Sequence, residues 1–226
     1  MFTDNKYVLD NEKPIWLNWL EPLNYVNEKT KLHLHQKLCF KKLKTKVDKQ
    51  ILLADLKAQL NEKKERIKRD FFKTSDGTLA VGLNSLLIDN LLKYLFNLTY
   101  KNDFNQKNSS VTIIAVGGYG RGELAPHSDI DILFLLPDKQ NFLEKNISEK
   151  NIEEILYFLW DLGLTIGHST RTIKETLKNL KIDLTFLTSL LDNRFVVGDK
   201  SSYASLISSF YKLRIKSKTL DFVRKK

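Results

Sequence analysis

The chain has 226 residues, of which 42% are hydrophobic, and this is enough for one packed domain with an appendage. Its single cysteine, Cys39, excludes an internal disulfide and favours a reducing, cytoplasmic location. The formal net charge of +10 favours an anionic substrate. The lysines are scattered through amphipathic segments, so no nucleic-acid partner is expected. We expect no membrane partner, since neither a signal peptide nor a membrane-spanning apolar stretch is apparent.

The first part of the chain is predicted to be helical. Residues 31–72 contain neither Gly nor Pro, and apolar residues recur there at mostly helical intervals among many Lys and Glu. This pattern predicts one long helix, or two helices broken near Lys44 and Thr45. A turn at residues 74–77 separates this region from the rest of the chain.

The second part begins with an amphipathic helix at residues 78–98 and a polar loop at residues 101–110. From there the sequence predicts short strands alternating with helices, which indicates an α+β fold. Apolar runs predict a buried strand at residues 111–116 and a second strand at residues 130–136. A third strand is predicted at residues 164–169, and residues 194–197 are predicted to be a short extended segment. Further helices are predicted at residues 147–162, after residues 170–172, at residues 183–191 and from residue 199 towards the end.

A glycine-rich turn follows the first predicted strand. Four glycines lie between residues 117 and 122, and Gly117 and Gly118 open the turn. Such residues let the backbone approach a ligand closely, and successive N–H groups can bind an anion. Arg121 adds a positively charged guanidinium group that can pair with phosphate, or can form a salt bridge with Glu123. The spacing matches neither a Walker-type loop nor a dinucleotide fingerprint.

Two aspartates, Asp129 and Asp131, open the second predicted strand. Because side chains on a strand alternate between faces, both carboxylates lie on the same side. Asp131 sits between Ile130 and Ile132, where a carboxylate is costly unless it is paired or bound to a metal. Oxygen ligands of this kind suit Mg²⁺, with Mn²⁺ as an alternative. Ser128 either steadies the turn or contacts the substrate.

The motif formed by these residues resembles a known family. Residues 117–131 read Gly-Gly-Tyr-Gly-Arg-Gly-Glu-Leu-Ala-Pro-His-Ser-Asp-Ile-Asp. This run is similar to the nucleotidyltransferase motif of the DNA polymerase β superfamily. More narrowly, it resembles the uridylyltransferase/uridylyl-removing enzymes that modify the PII nitrogen-signalling protein. The resemblance covers roughly residues 75–200 and continues in residues 159–164, 167–172, 183–185, 190–194 and 198–199.

The resemblance implies a polymerase β-like core, a small mixed sheet with helices. It also implies a Mg²⁺-dependent transfer of UMP from UTP to a tyrosine of a PII-type protein, with release of pyrophosphate. In that reaction Gly117 and Gly118 would cradle the triphosphate and Asp129 and Asp131 would hold the metal. Arg121 would steady the phosphate or the loop.

A third carboxylate usually completes the metal site in this superfamily, supplied by a later strand. The matching strand here carries His168 instead, and Asp183 is a substitute in the following segment. The sequence leaves open which of them, if either, serves as the third ligand.

The resemblance divides the chain into a helical region (residues 1–74), a nucleotidyltransferase domain (residues 75–200) and the start of a C-terminal helix (residues 201–226). Full-length relatives carry an HD hydrolase domain and two ACT domains. We expect both to be absent from this chain, because its sequence stops at Lys226 and none of its four histidines is followed by Asp, as an HD domain requires. Two alternatives follow: a truncated or degenerate nucleotide-binding regulatory module, and an adenylyltransferase-type relative.

Overall fold

The computed structural model describes residues 49–100, 111–180 and 183–216. Within these residues the chain forms seven helices and four strands. The helices are α1 (Lys49–Thr74), α2 (Gly77–Tyr100), α3 (Gly117–Gly120), α4 (Phe142–Asp161), α5 (Ile173–Asn179), α6 (Leu184–Leu191) and α7 (Lys200–Lys216). The strands are β1 (Thr112–Ala115), β2 (Ile130–Leu136), β3 (Ile166–Thr172) and β4 (Arg194–Gly198).

The four strands form one mixed sheet in the order β3-β2-β1-β4. β1 pairs antiparallel with both β2 and β4, whereas β2 and β3 run parallel. The β2–β3 register aligns Asp131 with Gly167 and Ile132 with His168. This small sheet with its helices confirms the predicted α+β class.

Helices cover both faces of the sheet. On one face the side chains of Ile130, Ile132 and Phe134 join a buried cluster with α1, α2 and α4. On the other face Leu133 and Leu135 pack with residues of α6 and α7. Alternation along β2 therefore assigns its residues to two separate cores, and Asp131 belongs to the α6–α7 face.

α2 is the central helix of the larger core, and Leu91, Leu92 and Leu95 on it are fully buried. Its most apolar window has a mean hydropathy of 1.3, so by length and composition it is apolar enough to cross a membrane. The expectation that no stretch reaches this limit is therefore wrong for α2. Within the structure 56% of that window is buried, and the core helix of a globular domain passes the same test.

Several element boundaries differ from the sequence prediction. α4 begins at Phe142 rather than near residue 147, because Asn141 and Glu144 form a capping box that starts the helix earlier. β3 runs on to Thr172, because its pairing with β2 continues to that residue, which then caps α5. β2 has the predicted bounds. The proposed break near residues 44–45 and the polar loop at residues 101–110 lie outside the described residues, and the three-part division remains a prediction.

Candidate active site

Asp131 lies on β2 beside the glycine-rich turn, and its carboxylate is flanked by two glycines. A Cβ atom built on Gly117 would lie 3.4 Å from Asp131 Oδ2, and one built on Gly167 would lie 2.3 Å from Oδ1. Asp131 is half-buried, whereas Asp129 is exposed just before the strand begins. Burial raises the pKa of Asp131, and the negative charge of Asp129 raises it further. The two carboxylates thus interact electrostatically at the head of β2.

The glycine-rich turn forms the short helix α3. Gly117 has a φ of +61°, which favours glycine, and it turns the chain from β1 into α3. The N–H of Gly120 donates to the carbonyl of Val116 at 3.0 Å. A first helical turn leaves its leading N–H groups without an acceptor inside the helix, and here these belong to Gly117, Gly118 and Tyr119. Backbone donors suited to phosphate oxygens therefore lie next to Asp131.

A buried ion pair holds the glycine-rich turn in place. Arg194 on β4 forms a two-pronged salt bridge with Asp89 on α2. Its guanidinium also donates to the carbonyl oxygens of Tyr119 at 3.1 Å and Gly120 at 3.3 Å. The Tyr119 hydroxyl donates to Asp89 at 2.6 Å. This network ties α3 to both α2 and β4.

Burial and the charges in this network shift the pKa values of Tyr119 and Arg194. Burial and the nearby charge of Asp89 raise the pKa of Tyr119 well above its usual value, so the phenol stays protonated. Burial acts to lower the pKa of Arg194, but the attraction of Asp89 outweighs it and the net change is upward. Asp89 lies outside the motifs described above. A lone carboxylate inside the apolar run of residues 86–92 was the available clue, because such a group needs a partner.

Arg121 braces the turn in this structure. Its Nε donates to Glu123 at 2.8 Å, and its Nη1 donates to Asp192 at 2.6 Å. Both interactions raise the pKa of Arg121, that with Glu123 first. The remaining nitrogen, Nη2, lies 3.7 Å from the position of a Cβ on Gly118. Of the two alternatives for Arg121, the salt bridge with Glu123 is present in this structure.

Ser128 belongs to the turn before β2. Its hydroxyl donates to the carbonyl of Ala125 at 2.8 Å, and its backbone N–H donates to the same oxygen at 3.2 Å. Of the two roles considered for Ser128, this geometry corresponds to steadying the turn. The neighbouring His127 has a φ of +66°, which is rare for a residue other than glycine.

Neither residue considered as a third ligand joins the aspartate pair. The His168 ring packs against Trp160 of α4, with ring centroids 6.0 Å apart, so it faces away from Asp131 across the sheet. The Asp183 side chain accepts the N–H of Phe186 at 2.9 Å and caps α6. Across the described parts of the chain, no group of three or more His, Cys, Asp or Glu side chains is arranged to hold a metal.

The aspartate pair is nevertheless of the chemical type that binds a hard divalent cation. Mg²⁺ takes hard oxygen ligands, keeps several waters and is often held by one or two carboxylates together with substrate phosphates. Asp129 and Asp131 supply two carboxylates, and the leading N–H groups of the neighbouring turn are donors of the kind that bind phosphate. The donor set of this site therefore suits Mg²⁺ or Mn²⁺ bound jointly with a polyphosphate.

Comparison with known proteins assigns the domain. Residues 99–190 match the family model of the nucleotidyltransferase domain. The bifunctional uridylyltransferase/uridylyl-removing enzyme of Rhodospirillum rubrum is 37% identical over 180 residues, which is 77% of this chain and 19% of the relative. The enzyme of the same name from Rhodopseudomonas palustris is 34% identical over 175 residues, 76% of this chain and 18% of the relative.

A third relative of that name, from Novosphingobium aromaticivorans, is 39% identical over 158 residues, 68% of this chain and 17% of the relative. The chain thus spans about a fifth of the length of the curated relatives it matches. These matches confirm the resemblance stated from the motif. The chain carries a nucleotidyltransferase domain and is a homologue of part of the bifunctional uridylyltransferase/uridylyl-removing enzymes.

Proposed function

We propose that this chain transfers UMP from UTP to a tyrosine hydroxyl of a PII-type signalling protein. The observation that carries the proposal is the proximity of the Asp131 carboxylate to Gly117 in the glycine-rich turn, where a built Cβ would lie 3.4 Å from Oδ2. It brings candidate metal ligands next to backbone donors for phosphate. The name of the relatives, uridylyltransferase, supports UTP as the nucleotide.

In the proposed reaction the tyrosine oxygen forms a bond to the α-phosphorus of UTP. The bond between that phosphorus and the bridging oxygen of pyrophosphate breaks, and the phenolic proton passes to water. Asp129 and Asp131 would hold Mg²⁺, which when bound neutralises charge on the triphosphate and on the leaving pyrophosphate. The N–H groups of Gly117 and Gly118 would bind phosphate oxygens, and Nη2 of Arg121 would add a positive charge beside them.

The test uses radiolabelled UTP or ATP, Mg²⁺ and a PII protein. We expect label from UTP on a PII tyrosine, and Asp129→Asn and Asp131→Asn should each abolish it because the amide cannot replace an ionised carboxylate as ligand. Asp70→Asn on α1 makes the same chemical change away from the site and should leave the transfer unchanged. Label on PII that persists in both site variants would refute the roles assigned to the aspartates.

One observation favours a second candidate. Because the described residues bring no third acidic or histidine ligand to the aspartate pair, the site also suits a regulatory module that binds nucleotide without catalysis. Calorimetry with UTP and Mg²⁺ distinguishes the two functions. Binding without transfer supports the regulatory module, and transfer from ATP instead of UTP supports an adenylyltransferase-type enzyme.

A further inference from the structure

Gly167 is the neighbour of Asp131 across the parallel β2–β3 pair. A Cβ atom at Gly167 would lie 2.3 Å from Asp131 Oδ1, closer than real atoms approach. The next nearest atoms are the Cγ of Asp131 at 3.5 Å and its Cα at 4.0 Å. Every atom that such a Cβ would meet within 4 Å thus belongs to Asp131.

Among the described residues, no other contact calls for glycine at this position. The backbone of Gly167 lies outside the left-handed region, so an L-residue can adopt it. Gly198 is different, since its φ is +115° and a Cβ there would lie 2.2 Å from the carbonyl oxygen of Val111. Glycine inside a strand costs stability and often marks a close approach by another group. At Gly167 the approaching group is a carboxylate.

We propose that Gly167 is a positioning residue for Asp131. The bare Cα of Gly167 leaves free the volume in which Oδ1 lies, while on the other side a Cβ built on Gly117 would lie 3.4 Å from Oδ2. A side chain at Gly167 would therefore displace the carboxylate from its place beside the glycine-rich turn. It follows that this strand position cannot itself supply a third carboxylate to the site. The consequence for catalysis rests on the proposed function, whereas the contact itself does not.

The first test is a double-mutant cycle measured by thermal unfolding of the full chain without nucleotide. It compares the parent chain with Gly167→Ala, Asp131→Ala and the double variant. We expect Gly167→Ala to lower Tm in the parent chain. In the Asp131→Ala background the same change should leave Tm unchanged or raise it, because the atom in conflict is gone and alanine suits a strand better than glycine. An equal effect in both backgrounds would overturn the proposal.

The second test measures binding of Mn²⁺ in the presence of UTP by electron paramagnetic resonance. Gly167→Ala should weaken binding by about 10-fold or more, as expected when the support of a ligand is disturbed. Gly77→Ala is the matched control, since a Cβ there meets nothing within 4 Å, and it should bind as the parent does. Unchanged Mn²⁺ affinity in Gly167→Ala would refute the positioning role. Coupling in the cycle without any UMP transfer would instead refute the proposed function and leave the contact established.

Discussion

Removing the carboxylate of Asp89 should destabilise the whole domain and loosen the glycine-rich turn. In the structure Asp89 accepts two hydrogen bonds from Arg194 and one from the Tyr119 hydroxyl. The side chains of Arg194 and Asp89 are only 13% and 8% exposed. Asp89→Ala would leave a buried guanidinium without its counter-charge and a buried hydroxyl without its acceptor.

The burial of this pair determines how much unfolding free energy Asp89→Ala should lose. Breaking a buried ion pair by removing one partner costs about 3–5 kcal/mol, because the remaining charge stays uncompensated. The exposed pair of Arg121 and Glu123 provides the contrast, with side chains 44% and 58% exposed. Glu123→Ala should cost less than about 1 kcal/mol, since water solvates the remaining charge.

Urea unfolding followed by circular dichroism measures both losses on the same scale. A third protein, Asp89→Leu with Arg194→Met, should recover much of the loss because no buried charge remains. A loss of stability in Asp89→Ala no larger than that in Glu123→Ala would show that the buried charge of Arg194 does not depend on Asp89. Equal destabilisation by the single and the double variant would likewise show that uncompensated charge is not the cause.

Three other residues, Gly120, Asp131 and Asp199, offer direct tests of the structure. Gly120→Ala should cost about 3 kcal/mol or more in chemical unfolding, because its Cβ would lie 1.6 Å from the backbone oxygen of Asp192. The pKa of Asp131, followed by carboxyl-carbon NMR, should lie above the ordinary value of 3.8. Asp129→Asn should lower that pKa only in part, because burial is the larger cause. Asp199→Ala should cost about 1 kcal/mol at neutral pH, since its side chain caps α7 by accepting the N–H of Ser201 at 2.9 Å and that of Ser202 at 3.2 Å.

Each of these predictions has its own control or contradiction. Gly77→Ala should be neutral beside Gly120→Ala, because open space surrounds it. Because the pKa of Asp131 is raised, stability should fall as pH rises from 3.8 through the folded-state pKa, and Asp131→Asn should remove that slope. The pKa of Asp199 is lowered, chiefly by the Ser202 hydroxyl, so its contribution should vanish as pH falls through that pKa. A penalty for Asp199→Ala that persists in acid contradicts the capping role.

Much of the fold was predictable because local pattern and tertiary structure agree. The bounds of β2 followed from an apolar run that starts after Asp129 and stops before Pro137. α4 was predicted too short, since its first turn carries Phe142 and Leu143 exposed and lacks the apolar period that marks a helix. The capping box at Asn141 supplies the start instead. β3 was cut short because pairing with β2, a non-local interaction, extends it.

Some features of the candidate site could likewise be predicted from local sequence, whereas others depend on the tertiary structure. Asp131 lies on β2 next to Gly117 of the turn, and Asp129 just before the strand acts electrostatically on Asp131, as their short sequence separation predicts. The partners that hold the turn come from far along the chain: Asp89 is 30 residues before Tyr119, and Arg194 is 105 residues after Asp89. No periodicity encodes such pairings.

The sequence by itself therefore determined the motif and the family, because these depend on residue types at short, fixed separations. Only the tertiary structure decided that His168 faces α4, that Asp183 caps a helix, and that Gly167 makes room for Asp131. The face on which a strand residue lies depends on pairing register and on which helix covers each side. Register and helix coverage are properties of the assembled sheet, and they determine which side chains lie around the motif.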